Sequence, residues 1–163
     1  MPPYNALTLR FQGIPAMAIE SAPPSVFETL TQLTNRFFWY LDEFRYEELV
    51  ALMHQDATWH RQGKVLSGRE QILAALAERP RTQRIRHVVT NGFIDRVEGD
   101  TAHYIAYMIG YRADEGVAKP APQTIDGPLR MLLIKSRFER RDGRWLFAEQ
   151  IAAPEFEFRA PAR

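Results

Sequence analysis

The stretch TAHYIAYMIGYR (residues 101–112) carries the most information about the fold, because it predicts a strand that is apolar on both faces. Alternate side chains of a strand point to opposite faces, so Ile105 and Tyr107 share one face and Tyr104 and Ala106 share the other. A strand of this kind needs cover on both sides. We therefore expect helices on one face of its sheet and a second copy of the chain on the other.

Three helices are predicted before this strand. The segment S-V-F-E (25–28) is a capping box, and apolar residues recur at helical spacing after it. A second, short helix follows Asp42. Ser67 and Glu70 have the spacing of a second capping box, which opens a third helix that ends before Pro80.

The strands follow from alternation and from turn signals between the segments. The predicted strands are two short ones within 57–68, and long ones at 83–97, 101–112, 129–140 and 144–152. Tight turns make neighbouring strands antiparallel. The sequence thus predicts an α+β fold, with three N-terminal helices packed on a mostly antiparallel sheet. We expect the longer link at 113–128 to be a mobile loop at the mouth of a pocket.

The composition is that of an ordinary globular protein with one domain. The chain has 163 residues, of which 45% are hydrophobic, and its 21 Lys and Arg nearly balance its 20 Asp and Glu. This balance gives no reason to expect a nucleic-acid partner. We interpret 1–24 as an extended N-terminal arm, 25–153 as the domain and 154–163 as a C-terminal tail.

The absence of cysteine excludes disulfides and thiol nucleophiles, and it suits a reducing cytosol. No apolar run is long enough for a membrane span, and the N-terminus lacks the pattern of a signal peptide. We therefore expect a cytoplasmic protein without a membrane partner.

One histidine stands out in RIRHVVTN (84–91), which has the residue types of a half-buried strand. Alternation places His87 on one face with Val89 and Asn91. An unpaired polar ring among apolar neighbours is costly. His87 is thus either a core histidine with a hydrogen-bond partner or the working group of a site.

Several separate motifs resemble one known superfamily. They are L-D-E-F-R-Y-E-E-L-V-A-L-M-H-Q-D-A-T-W (41–59), S-G-R-E-Q-I (67–72) and D-G-R-W-L-F (142–147). In this order they resemble the nuclear transport factor 2-like superfamily, which includes SnoaL-like polyketide cyclases. The resemblance covers about residues 25–152 and implies a cone-shaped α+β barrel with a curved sheet. It does not define an activity, because this fold hosts enzymes, binding proteins and interaction modules.

Two dehydratase families in the superfamily, scytalone dehydratase and bile acid 7α-dehydratase, imply a site. Their Asp before the second helix matches Asp42, and their His on the first long strand matches His87. Scytalone dehydratase has a second catalytic His in a region that here reads P-L-R-M-L-L-I-K-S, without an imidazole. Its Tyr before the Asp falls on Leu41, next to Tyr40. The resemblance therefore implies only half of a dehydratase site.

The chemistry of water elimination assigns a role to each candidate. A base must take the proton next to a carbonyl, and a donor must hold the enolate oxygen. His87 can be that base, because an imidazole titrates near neutral pH, and Asp42 can orient it. The donor candidates are Tyr40, Trp59 and Tyr107. Alternatively, His87 bonds a helix carbonyl and Asp42 only caps the helix that follows.

Other candidates complete the predicted substrate-binding set, which also contains Phe38, Asn91, Met131 and Glu149. Either Glu149 or Gln150 must face the interior, since they are adjacent on the last strand. Glu149 could act as an acid in the pocket, but we favour an outer, paired carboxylate. Arg130 could bind a substrate carboxylate, although a salt bridge between subunits is the favoured alternative.

We expect no metal and no cofactor. His54, His60 and His103 lack the spacing of metal ligands, and no nucleotide-binding or nucleophile motif is present. The sequence predicts a cofactor-independent dehydratase, isomerase or cyclase for a small hydrophobic or ring-containing molecule, working as a homodimer. The alternatives are a ligand-binding protein without chemistry, or a structural subunit. The latter would resemble the β subunit of ring-hydroxylating dioxygenases, which has a similar arm and a tail like EFEFRAPAR (155–163).

Overall fold

The computed structural model describes residues 24–158, which form three helices and a six-stranded sheet. The helices are α1 (Val26–Asp42), α2 (Tyr46–Ala51) and α3 (Gly68–Ala77). The strands are β1 (Met53–Arg61), β2 (Lys64–Ser67), β3 (Arg84–Glu98), β4 (Thr101–Ala113), β5 (Arg130–Arg141) and β6 (Arg144–Glu157). None of these helices is long and apolar enough to cross a membrane.

The predicted fold class is confirmed: the three helices pack on a curved, unclosed sheet. The strand order is β2-β1-β6-β5-β4-β3, and within residues 24–158 only the β1–β6 pair is parallel. The core between helices and sheet is rich in phenylalanine. Phe37 of α1 is fully buried against Phe147 of β6 and Trp59 of β1, with ring centroids 5.1 Å away in both cases.

Of the two predicted capping boxes, only the first exists. The Ser25 hydroxyl accepts a bond from the Glu28 N–H at 3.2 Å, and the Glu28 carboxylate accepts one from the Ser25 N–H at 2.7 Å. The prediction of a second capping box is wrong, because the Ser67 side chain makes no capping hydrogen bond. The Gln71 side chain, one position beyond the predicted Glu70, instead accepts from the Ser67 N–H at 3.0 Å.

Strand β4 is apolar on both faces, as predicted. Its inner residues are buried beneath the helices, whereas Tyr107 on the outer face is 39% exposed. Tyr107 belongs to an apolar surface on this face that we call the outer apolar patch. The patch consists of Val88, Phe93, Ile105, Tyr107 and Ile109. Met131 pairs with Ile109 and points to the same side. Tyr107 and Met131, which we expected in the pocket, therefore lie on the opposite face of the sheet.

A bulge in β3 overturns the predicted placement of Asn91. The register with β4 shifts between Thr90 and Phe93, and Asn91 has a φ of +53°. Alternation assumes an unbroken ladder, so one extra residue turns the Asn91 side chain away from the face of His87 and into solvent. The next residue, Gly92, lies under the Tyr104 ring, where a β-carbon would overlap the tyrosine hydroxyl.

The last strand is longer than predicted. We expected it to end at 152, but β6 continues to Glu157 because its final residues pair with the start of β5. The predicted boundary between domain and tail therefore falls within a strand. The predicted arm, apart from residue 24, and the tail residues 159–163 lie outside the described residues.

Candidate active site

A cavity of about 510 Å³ opens between the helices and the sheet face that they cover. Of the predicted site residues, Phe38, Trp59 and His87 line it. The lining also includes Leu41, Arg61, Glu78, Arg79, Met108, Gly110, Tyr111, Arg112, Arg130 and Leu132. Its size suits a ligand with one or two rings.

The predicted contact between Asp42 and His87 is confirmed. The Asp42 carboxylate accepts two hydrogen bonds from this one residue, from Nδ1 of the ring at 2.6 Å and from the backbone N–H at 2.8 Å. Both side chains are largely buried, with 5% of Asp42 and 13% of His87 exposed. The two alternatives are wrong: His87 does not bond a helix carbonyl, and Asp42 does not cap α2, which begins only at Tyr46.

The hydrogen bond to Asp42 determines which nitrogen of the His87 ring carries a proton and which carries a free lone pair. An ionised carboxylate can only accept hydrogen bonds, so the proton of a neutral His87 ring is assigned to Nδ1. Nε2 then carries the lone pair, and it forms no hydrogen bond within residues 24–158. The Phe38 ring, 5.3 Å from the imidazole centroid, limits the ring's movement. His87 can therefore take a proton from a bound molecule while Asp42 stabilises the resulting imidazolium.

A glycine leaves open space beside the imidazole. His87, Gly110 and Arg130 are paired in one row across β3, β4 and β5. A β-carbon on Gly110 would lie 3.9 Å from Cδ2 of His87 and 4.0 Å from Cγ of Arg130. We call this gap the Gly110 notch. Sequence reasoning missed it, although a glycine inside a strand often marks the close approach of another group.

The cavity wall is strongly basic. Four arginines line it, Arg61, Arg79, Arg112 and Arg130, against one acidic residue, Glu78. Burial, and secondly the positive charge of Arg79, lowers the pKa of the Arg61 guanidinium below its ordinary value. Sequence reasoning missed Arg61 and Arg79. The available signal for Arg61 was its position two residues after Trp59, which places both on one face of β1.

Two other predicted residues lie outside the cavity. Tyr40 is covered by the Arg45 guanidinium, 4.8 Å from its ring centroid. Glu149 is wrong as a substrate-binding residue, because it faces outward and pairs with His60 at 3.1 Å. Its neighbour Gln150 is the fully buried one, so the alternative of an outer, paired carboxylate is confirmed.

Comparisons with known proteins define the family. The model of the SnoaL-like domain matches residues 28–150. No curated protein matches the chain significantly. Among solved structures, ActVI-ORFA from Streptomyces coelicolor has a TM-score of 0.66 at 14% identity, covering 80% of this chain and 98% of that one.

Two structures from Novosphingobium aromaticivorans are also similar. A nuclear transport factor 2-like protein with a cystatin-like fold has a TM-score of 0.63 at 21% identity, covering 78% of this chain and 80% of that one. A protein provisionally assigned as a scytalone dehydratase has a TM-score of 0.62 at 20% identity, covering 81% of this chain and 88% of that one. At these identities the likeness shows the fold alone. With the domain match over most of its length, the chain belongs to the SnoaL-like family and has the nuclear transport factor 2-like cone fold.

Proposed function

We propose that this protein is a cofactor-independent acid–base enzyme, of dehydratase, isomerase or cyclase type, acting on a small hydrophobic or ring-containing molecule. The observation that carries the proposal is the His87–Asp42 pair, which presents to a cavity of about 510 Å³ an Nε2 that has no hydrogen-bond partner within residues 24–158. The name of one similar structure, the provisional scytalone dehydratase, agrees with this class.

The proposed chemistry begins with proton abstraction. Nε2 of His87 takes the proton from a carbon next to a carbonyl, the C–H electron pair forms an enolate, and Asp42 stabilises the imidazolium. Trp59 in the lining can donate a hydrogen bond to the enolate oxygen. In a dehydration the enolate re-forms the carbonyl, and the electron pair of its C=C bond forms a new C=C bond to the adjacent carbon. The C–O bond on that carbon breaks at the same time, and the imidazolium proton leaves with the hydroxyl as water. In an isomerisation the proton returns to a different carbon.

The alternative is a non-catalytic protein, either a ligand-binding module or a structural subunit. A purely structural subunit would need no solvent-accessible cavity, and its imidazole would have both nitrogens bonded. The cavity of about 510 Å³ and the Nε2 that forms no hydrogen bond within residues 24–158 therefore support an enzyme over a structural role. Ligand binding without chemistry is separated from catalysis only by measuring turnover.

Solvent exchange of a ketone tests the proposal without knowledge of the natural substrate. We expect the protein to accelerate exchange of the α-protons of 2-tetralone in D₂O, followed by proton NMR against buffer alone. Binding of 2-tetralone without accelerated exchange would favour the ligand-binding alternative.

A change at Gly110 tests whether exchange takes place in the cavity. Gly110→Leu is expected to reduce exchange at least about 10-fold, because a leucine side chain fills the space where a substrate must lie next to His87. Gly110→Ala is the matched control and should retain most of the activity, since a β-carbon there meets its neighbours only at ordinary contact distances of 3.9–4.0 Å. Equal exchange in Gly110→Leu and wild type would place the reaction elsewhere.

We also propose that a second copy of the chain covers the outer apolar patch. Its residues Val88 and Phe93 are both 49% exposed, and monomeric proteins rarely leave such a contiguous surface open. Val88→Glu is expected to weaken a dimer about 100-fold or more, because it buries an unpaired carboxylate. Light scattering after size exclusion measures this, with Val65→Glu on the distant strand β2 as the control. A monomeric wild type at micromolar concentration, or a dimer that survives Val88→Glu, would contradict it.

A further inference from the structure

The cavity wall concentrates positive charge, although the protein as a whole has almost no net charge. The chain contains 21 basic and 20 acidic residues, yet the cavity is lined by four arginines and one glutamate. This local excess is not needed for the acid–base pair, because His87 already has Asp42 as its partner. It needs a separate physical explanation.

Two of the arginines, Arg61 and Arg79, have only neutral partners within residues 24–158. Arg79 is 9% exposed and donates to the Leu41 carbonyl at 2.6 Å and to the Tyr46 hydroxyl at 3.2 Å. Arg61 lies over the Trp59 ring, 5.4 Å from its centroid. The two guanidinium groups are close enough for the charge of Arg79 to disfavour the charged form of Arg61. Partly buried like charges without a counter-ion are destabilising.

The other two arginines differ in this respect. Arg130 lies 3.5 Å from the Glu157 carboxylate, so its charge has a counter-ion, although its buried Nε forms no hydrogen bond within residues 24–158. Arg112 is exposed to solvent, which screens its charge. The unbalanced charge in the cavity wall is therefore that of Arg61 and Arg79.

We propose that the cavity binds a small ring compound that carries a carboxylate, with the carboxylate held by Arg61 and Arg79 and the ring directed toward His87. The inference rests on the proposed function, because it names the class of molecule that reaches the imidazole. Guanidinium groups bind carboxylates through paired, charge-assisted hydrogen bonds. The apolar lining residues Phe38, Met108 and Leu132 provide the contacts for a ring. Arg61 and Arg79 bind the substrate in this proposal and move no proton.

Two probes of nearly the same shape test it, 2-naphthoate and the neutral 2-naphthamide, by isothermal titration calorimetry on the full chain. We expect wild type to bind the naphthoate at least about 10-fold more tightly than the amide. Arg61→Gln should remove this preference. Arg130→Gln is the matched control, the same substitution in the same cavity, and should keep it. Arg61→Lys should retain most of the preference, which separates loss of charge from loss of packing against Trp59.

Three results would overturn the proposal: equal affinities of wild type for the two probes, no binding of 2-naphthoate at millimolar concentration, or an unchanged preference in Arg61→Gln. A preference lost in Arg130→Gln and kept in Arg61→Gln would equally refute the assigned pair. Thermal unfolding of each variant verifies that it is folded.

The naphthoate preference does not involve proton transfer, so it should survive His87→Gln. Failure of the anion site and failure of the catalytic proposal are thereby distinguishable.

Discussion

Exchange of the 2-tetralone α-protons is expected to fall by about 10²–10⁴-fold in His87→Gln, the range that a positioned general base contributes. Glutamine is similar in length and polar, but its amide has no basic nitrogen at neutral pH. It can occupy the space beside Phe38 and still cannot take the proton. Proton NMR at matched protein concentrations measures the two rates.

Asp42→Asn should cause a loss of similar order without removing the imidazole. Asparagine offers one acceptor oxygen, whereas His87 presents two donors to the carboxylate, its backbone N–H at 2.8 Å and Nδ1 at 2.6 Å. With the amide NH₂ facing Nδ1, the ring proton moves to Nε2, and the lone pair no longer faces the cavity.

The control for both variants is His103→Gln, which changes a histidine in β4 whose ring contacts Arg96 at 3.3 Å on the opposite face of the sheet. Its exchange rate should match that of wild type. If His87→Gln also retained the wild-type rate, another group would be the base, and the proposed function would lose its main support.

The largest effect on stability is expected at Phe37. Phe37→Ala should lower the free energy of unfolding by about 3–5 kcal/mol, the usual cost of removing a fully buried phenylalanine ring. The Phe37 ring is 0% exposed and lies 5.1–5.2 Å from the rings of Phe38, Trp59 and Phe147, so its removal leaves a cavity that these rings cannot fill without moving. Urea denaturation followed by circular dichroism measures the change.

Phe27→Ala is a matched control for this variant, since it removes the same ring from the same helix. Phe27 is 45% exposed, and the expected loss is below about 1 kcal/mol. Equal losses in the two variants would mean that α1 does not dock on the sheet through Phe37. That docking also matters for the site, because α1 carries both Phe38 and Asp42 to the imidazole on β3.

The parts of the site that could be predicted are those that depend on local sequence. His87 is a polar ring in a strand pattern, and Asp42 ends a helix with a clear start at Ser25, so each was visible within its own segment. Their pairing came from the family resemblance, not from spacing, since 45 positions separate them. The basic wall could not be predicted, because Arg61 and Arg79 lie on different elements and only packing brings them to one cavity.

Taken alone, the sequence determined the element order, the α+β class and the two apolar faces of β4, because hydrophobic periodicity and caps act over a few residues. The tertiary structure decided which of the candidate site residues face the cavity and which face the other side of the sheet. One bulge at Asn91 shifts the alternation of β3, and the sheet pairing turns Tyr107, Met131 and Glu149 outward. A single-residue change of register reverses the face of every side chain beyond it, and such a shift leaves little trace in a local pattern.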